Sequence, residues 1–299
     1  MFDFSEINRN SFDELSAIND TLFDITVPLQ NKLSINFEEF IKKLNIEGNK
    51  VLDIGCGTGD LALYLGNCGY NVTAIDFSDK MLIAARNKLR VIKEDIAKRN
   101  EMVKHPDFVK CKPQGALLSS INPKIKFICD DITDLKNIYE QFNVVVMLDC
   151  LSYVIENKII NCIENLKKII YKNGYVTFLY FTELSYKNRK NFQKKTNFFN
   201  YEAIYEYNET EKIMKTIINV EKNDLIRNSL ELTFYEKIYS LEFLNELLNK
   251  NGFKITKMIP DTAIFVSDDG NINEIIDKIK ETYSMPNGVN RILIAAQKI

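Results

Sequence analysis

Histidine is nearly absent from this 299-residue chain, with His105 the only one. Any mechanism that shuttles protons between two imidazoles is therefore excluded, and His105, beside Pro106 in a polar stretch, reads as a surface residue. Positive charge is not in excess either. Thirty-nine Lys and Arg against 41 Asp and Glu give a formal net charge of −2. That balance disfavours nucleic acid or an anionic membrane as partner, because cations are needed to neutralise phosphates. The six cysteines (56, 68, 111, 129, 150 and 162) contain no C-x-x-C pair. Their scatter predicts no metal site and no disulfide framework, and it fits a reducing, cytoplasmic setting. Long apolar runs are also missing: 142–148 is far shorter than the roughly 20 residues of a membrane span, and residues 1–20 lack the basic-then-apolar pattern of a secretory leader.

What is present is ordinary globular composition, 45% hydrophobic and 27% charged, with length for one large or two smaller domains. Residues 1–48 read as a helical cap, with Phe12, Leu15, Ile18 and Leu22 at helical spacing and Phe37, Phe40, Ile41 and Leu44 repeating it before Gly48. Short β-branched runs at 50–54, 71–75, 126–129, 144–148 and 175–181 then alternate with helical stretches at 60–66, 79–92 and 158–171, the last closed by Asn173-Gly174. Such alternation predicts an α/β fold with a mostly parallel, doubly wound, Rossmann-like sheet of seven strands and helices on both faces. Residues 93–124 read as a charged helical continuation and then a loop with Pro106, Pro113 and Pro123, together a surface insertion. Residues 182–240 change character, and 201–207, 213–220 and 230–239 predict an inserted antiparallel lid. A helix at 241–250, a strand at 253–259, a helix near 272–282 and a strand at 292–296 complete the core, which is thus expected over 49–181 and 241–299.

The strongest local signal is Val51-Leu52-Asp53-Ile54-Gly55-Cys56-Gly57-Thr58-Gly59, a buried-strand pattern running into a glycine turn and a helix. Glycines let a ligand approach the backbone, and a helix start offers unpaired N–H groups. The third glycine of a dinucleotide fingerprint is replaced by Asp60, and the Gly-Lys-Ser/Thr of a phosphate loop is missing. An acid at the helix start repels a diphosphate, so a cationic or zwitterionic ligand is expected.

These residues resemble the first motif of class I S-adenosylmethionine-dependent methyltransferases, and later motifs follow in order over about 45–181. The resemblance implies S-adenosylmethionine as cofactor and S-adenosylhomocysteine as product. It places Asp53 and the turn Gly55, Cys56, Gly57 and Gly59 at the methionine end. Asp76 would accept hydrogen bonds from the ribose diol, as a carboxylate can, with Phe77 and Met81 beside the adenine. In Cys129-Asp130-Asp131-Ile132, Asp130 or Asp131 would read the adenine amine, the register favouring Asp131, and the Ile132 N–H would meet the ring. Leu148 and Asp149 would lie near the methyl-donor end. The segment 72–82, with the long helix after it and the lid, is similar to the glycine N-methyltransferase-like small-molecule group.

Methyl transfer to an amine can proceed on alignment and electrostatics alone, so one histidine is no obstacle. Tyr153, in the loop after the fourth strand, is the candidate catalytic side chain. Cys150 follows Asp149, whose charge opposes a thiolate, so a cysteine nucleophile is disfavoured. The lid is rich in rings (Phe192, Phe198, Phe199, Tyr201, Tyr205, Tyr207, Phe234, Tyr235, Tyr239) that could enclose a small molecule and hold a cationic amine by their faces, though strand packing explains any one of them more simply. A small molecule methylated at N or O is the expected acceptor, by a monomer or homodimer. Rival readings are a protein or RNA methyltransferase, a non-catalytic S-adenosylmethionine-binding protein and, more distantly, a NAD-dependent oxidoreductase.

Overall fold

The computed structural model describes residues 3–18, 32–103, 124–195, 199–222, 229–260 and 291–299. The expected helix near 272–282, Leu22, His105, Cys111, Phe198 and the three prolines of the insertion lie outside them. A seven-stranded sheet carries the strands β1 (Lys50–Ile54), β2 (Asn71–Asp76), β3 (Lys124–Cys129), β4 (Phe142–Met147), β5 (Ile170–Phe181), β10 (Phe253–Pro260) and β11 (Arg291–Lys298). Their order is β10-β11-β5-β4-β1-β2-β3. β1 to β5 pair in parallel, and β11 lies antiparallel to both β5 and β10.

The central strands read Val-Leu-Asp-Ile and Val-Val-Val-Met because both of their faces are covered. On one face Leu52, Ile54, Val145 and Met147 pack against α5 (Glu156–Ile169) and α6 (Leu241–Lys250). On the other, Val51, Val144 and Val146 meet Phe37, Phe40 and Ile41 of α2 (Lys32–Lys42) and Leu61 and Leu65 of α3 (Asp60–Asn67). Burying each such side chain contributes roughly 1.5–3 kcal/mol. The chain builds β1, β2 and β3 outward, then crosses back to β4 on the other side of β1. This reversal leaves a crevice at the carboxyl ends of β1 and β4, where ligands of open α/β sheets bind.

A second, antiparallel sheet runs β6 (Phe192–Lys195), β7 (Phe199–Asn208), β8 (Ile213–Lys222) and β9 (Ser229–Lys237). β6 had no sequence signal, since its four residues show no buried and exposed alternation. α1 (Ser5–Leu15) lies against β9 and against α4 (Asp79–Val103), whereas α2 belongs to the main core. α4 runs to Val103, so the charged helical continuation expected past 92 is present, with no glycine or proline to interrupt it. β5 begins at Ile170, directly after α5, so Asn173-Gly174 forms an irregularity inside the strand, with Asn173 at φ 65°.

Candidate active site

β1 delivers the chain into the glycine turn. The N–H groups of Gly55 and Cys56 both donate to the Ile75 carbonyl at 2.9 and 3.0 Å, tying the turn to the end of β2. Gly57 N–H donates to Asp76 Oδ2 at 2.8 Å, and Ser78 N–H donates to Asp76 Oδ1 at 2.8 Å. The three glycines answer different demands. A Cβ on Gly55 would stand 2.6 Å from Cys150 Cβ, and one on Gly59 would stand 3.0–3.1 Å from Ala85 and Phe127. At Gly57, with φ +53°, a Cβ would meet nothing within 4 Å. Only Gly57 therefore offers an open approach to the backbone, while Gly55 and Gly59 are needed for close packing. Lys88 of α4 braces the turn, its Nζ donating to Thr58 Oγ1 at 2.8 Å and to Asp60 Oδ1 at 3.0 Å. That ion pair, with both side chains under 15% exposed, offsets the charge of Asp60. The expected repulsion of a diphosphate by Asp60 is accordingly weaker than the sequence suggested.

Asp53 is buried behind the turn. Its carboxylate accepts from the Ala62 N–H at the start of α3, yet Oδ2 has no hydrogen-bond partner. Burial first, then the neighbouring Asp76 charge, pushes its pKa from 3.8 up to about 7. Burial likewise lifts Asp76 to about 6, against the pull of its two backbone hydrogen bonds.

A cavity of about 600 Å³ opens at the crevice, within the range of about 300–1,000 Å³ usual for small-molecule sites. It brings together Gly55, Cys56, Gly57, Asp76, Phe77 and Met81 with Asp130, Asp131, Ile132, Leu148, Asp149 and Tyr153. Of the residues expected at the site, Asp53 and Gly59 do not line it. Gly59 is held back by packing on Ala85 and Phe127, and Asp53 by its cap on α3.

The two adjacent acids differ sharply. Asp130 accepts three backbone N–H bonds, from Asp131 and Lys136 on Oδ1 and from Asn137 on Oδ2, and so closes its own loop. Asp131 uses only Oδ1, for the N–H and hydroxyl of Thr133, and its Oδ2 stands 4.0 Å from Arg9. Phe77 is covered from α1, with the Arg9 guanidinium 5.4 Å above its ring and Phe12 edge-on at 5.7 Å.

Four residues of the wall opposite the turn, Asn8, Thr216, Ile218 and Glu236, were given no site role in the sequence. The wall comprises Asn8, Arg9 and Phe12 of α1 with Arg189, Tyr205, Thr216, Ile218, Phe234 and Glu236 of the second sheet and its approach. Glu236 is 3% exposed and takes Arg189 at 2.6 Å and the Tyr186 hydroxyl at 3.2 Å. Arg189 also lies over the Tyr186 ring at 4.4 Å. The signal that could have found Glu236 is its place on β9. Leu232, Phe234 and Glu236 alternate inward, so an acid occupies an apolar face. Among the described lid rings, Tyr205 and Phe234 line the cavity, while Tyr239 packs in the main core and Tyr235 stacks on Phe4 at 5.7 Å.

Tyr153 meets Phe12 edge-on at 5.1 Å, and burial first, then Glu236 and Asp149, hold its phenol well above its ordinary pKa. Cys150 donates to the Ile54 carbonyl at 3.3 Å, and burial drives its thiol far from ionisation. Asp149 adopts φ 51° in the loop after β4, a left-handed conformation costing a non-glycine residue about 1–2 kcal/mol.

A doubly wound sheet with a glycine turn at its reversal point is the fold of class I S-adenosylmethionine-dependent methyltransferases. One such enzyme from Clostridium acetobutylicum ATCC 824 superposes with a TM-score of 0.66 at 17% identity, over 96% of this chain and 98% of that one. CalS10, an amino pentose methyltransferase from Micromonospora echinaspora, gives 0.58 at 9% identity over 93% and 97%. At these identities the likeness is one of fold. In sequence, the chain is 26% identical over 134 residues to YqeM of Bacillus subtilis (strain 168), whose name marks it as a candidate methyltransferase, over 44% of this chain and 42% of that protein. The ubiquinone biosynthesis O-methyltransferase of Hydrogenovibrio crunogenus is 47% identical over 49 residues, 16% of this chain and 20% of that one. The chain thus matches less than half the length of either relative. The profile described as "Methyltransferase domain" matches residues 29–258, and the chain belongs to that family.

Proposed function

We propose that this protein is an S-adenosylmethionine-dependent methyltransferase acting on nitrogen or oxygen of a small molecule. The observation that carries the reading is the convergence of the open Gly57 backbone, the Asp76 carboxylate and the ends of β3 and β4 on one cavity closed by α1 and the second sheet. The fit to the cofactor rests on this chain's own groups. Each Asp76 oxygen accepts one backbone N–H and keeps further lone-pair capacity for a ribose hydroxyl. Asp131 retains Oδ2 and Ile132 its place on the wall for an adenine edge, flanked by Phe77 and Met81. Asp130, spent on its loop, supports Asp131 instead of binding. Asp53 acts at one remove, by holding the turn and adding negative potential behind it.

When bound, S-adenosylmethionine supplies a sulfonium methyl group and leaves as S-adenosylhomocysteine. The protein's part is to align the acceptor, exclude water and favour positive charge in the cavity. Tyr153, kept neutral by burial, offers a hydroxyl to orient the acceptor and does not serve as a phenolate base. In this reading residues 49–181 and 241–299 hold the cofactor, 182–240 form the lid and residues 1–48 contribute the closing helix α1. No helix among the described residues is long and apolar enough to cross a membrane.

Calorimetry with S-adenosylhomocysteine, followed by methyl transfer from radiolabelled S-adenosylmethionine to a metabolite extract, tests the proposal. Binding with a labelled small-molecule product is expected. Binding with no labelled product would leave a non-catalytic protein, and label confined to protein or RNA would transfer the activity to a macromolecular acceptor.

A further inference from the structure

The lid wall holds a polar group with no partner. Thr216 is 7% exposed, lines the cavity, and its Oγ1 makes no hydrogen bond. It sits on β8 between Met214 and Ile218, opposite Tyr205 on β7 and Phe234 on β9, in a row of side chains turned to the cavity. A buried hydroxyl left unpaired is destabilising, and a valine would fill the same space on a strand without that cost. A hydroxyl in this place is explained by something that enters the cavity.

The charge around it indicates what enters. Carboxylates outnumber cationic side chains six to three on the cavity wall. At the lid end Arg189 is engaged by Glu236 at 2.6 Å and by the Tyr186 ring, so it is a poor clamp for a second anion. Glu236 and Asp149 both lie close enough to hold up the Tyr153 phenol. The described wall contains no imidazole, and its thiol at Cys150 is held out of ionisation. An alcohol acceptor needs a base as it reacts, whereas a neutral amine does not.

Resting on the methyltransferase reading above, we propose that Thr216, Glu236 and Asp149 form the acceptor subsite and that it takes a small amine with an apolar body. An amine N–H donates to Thr216 Oγ1, and the apolar part lies along Ile218 and Phe234. The nitrogen lone pair forms the new N–CH₃ bond as the S–CH₃ bond breaks with its electrons passing to sulfur. The positive charge moves from sulfur to nitrogen, where the carboxylate excess of the wall, Asp149 included, favours it, while Glu236 remains shared with Arg189, and the methylammonium gives its proton to solvent on release.

The test uses the full chain saturated with S-adenosylhomocysteine and three matched probes: benzylamine, benzyl alcohol and benzoate. Benzylamine is expected to bind at least tenfold more tightly than the other two by calorimetry. Thr216→Val should weaken it about tenfold, with S-adenosylhomocysteine affinity unchanged and the thermal midpoint unchanged or raised. Thr216→Ser, which keeps the hydroxyl, should retain binding. Benzoate or benzyl alcohol binding as well as benzylamine, or Thr216→Val leaving benzylamine affinity intact, would overturn the subsite. Failure of S-adenosylhomocysteine itself to bind would instead strike the cofactor reading, so the two failures are told apart.

Discussion

Asn8 and Tyr235 exchange two hydrogen bonds: Asn8 Nδ2 donates to the Tyr235 carbonyl at 2.8 Å, and Tyr235 N–H donates to Asn8 Oδ1 at 2.8 Å. One turn on, Ser11 repeats the exchange with Thr233, at 2.6 and 3.1 Å. β9 is an edge strand, and edge strands leave backbone groups unpaired. Two side chains of α1 satisfy them as a fifth strand would. The same helix presents Arg9 and Phe12 to the cavity, so the lid edge and the cofactor crevice share one closing element.

Asn8→Ala with Ser11→Ala should therefore loosen α1 without disturbing the seven-stranded sheet. Four backbone groups lose partners, though water can reach them once the helix lifts, so a loss of about 1–3 kcal/mol is expected. Limited proteolysis should cut first within residues 1–18, and affinity for S-adenosylhomocysteine should fall several-fold. Unchanged protease resistance would show that the apolar contacts of Phe12 and Leu15 suffice to hold the helix.

Gly57→Ala and Gly59→Ala should separate binding from folding. Both positions have positive φ, +53° and +83°, which costs alanine about 1–2 kcal/mol. At Gly59 the new methyl also meets Ala85 and Phe127 at 3.0–3.1 Å. Gly59→Ala should lower thermal stability more than Gly57→Ala does. Gly57→Ala should instead remove most cofactor affinity, since its methyl enters open cavity. Equal loss of stability with equal retention of binding would remove Gly57 from the site.

Much of this was legible because strand and helix periodicities differ. The buried runs at β1 and β4 and the Gly55–Gly59 turn specify a strand, a turn and a helix start in any context. The ends of the elements were less legible. α4 outruns its apolar pattern, and Asn173-Gly174, a turn signal in isolation, sits inside β5, where a Cβ on Gly174 would stand 2.9 Å from the Asn143 carbonyl. Asn143 uses both ends of its amide. Its Oδ1 accepts from Lys50 N–H and its Nδ2 donates to the Glu47 carbonyl, at 3.0 and 2.7 Å, and a carboxylate cannot donate. The far wall of the site was least legible, because Asn8, Thr216 and Glu236 come together only through the pairing of α1 with a sheet more than 200 residues away.

Asp76→Ala should weaken S-adenosylhomocysteine by roughly 1–3 kcal/mol, the scale for charge-assisted hydrogen bonds. Because Asp76 also accepts the Gly57 and Ser78 N–H groups, thermal stability should fall as well. Asp76→Asn offers one acceptor oxygen and so restores part of each. Calorimetry alongside thermal denaturation separates the two effects. Intact affinity in Asp76→Ala would take the carboxylate out of the cofactor site.

Proton uptake should mark the site in a way that no other described group imitates. Asp53, raised to about 7, and Asp76, raised to about 6, hold protons in the folded chain that the unfolded chain releases near pH 4. Their stabilising contribution is complete below about pH 4 and is lost as pH rises through 6 to 7, so the unliganded protein should lose thermal stability across that window. Glu183 runs the other way. Hydrogen bonds from Lys212, and then from Lys187 and Tyr207, hold it at about 2, so its contribution is lost only as pH falls below about 4.5 and does not overlap. Asp53→Asn removes the buried charge while keeping an acceptor for the Ala62 N–H. It should flatten the decline between about pH 4 and 7 and leave the variant more stable than the parent at pH 8. A sulfonium ligand favours the ionised carboxylates, so binding of S-adenosylmethionine near pH 6.5 should release protons, read by calorimetry in buffers of different ionisation enthalpy. Proton release that persists unchanged in Asp53→Asn would assign it to Asp76 alone. No release from either protein would mean that the two acids do not sense the ligand, and their place behind and beside the glycine turn would then be structural only.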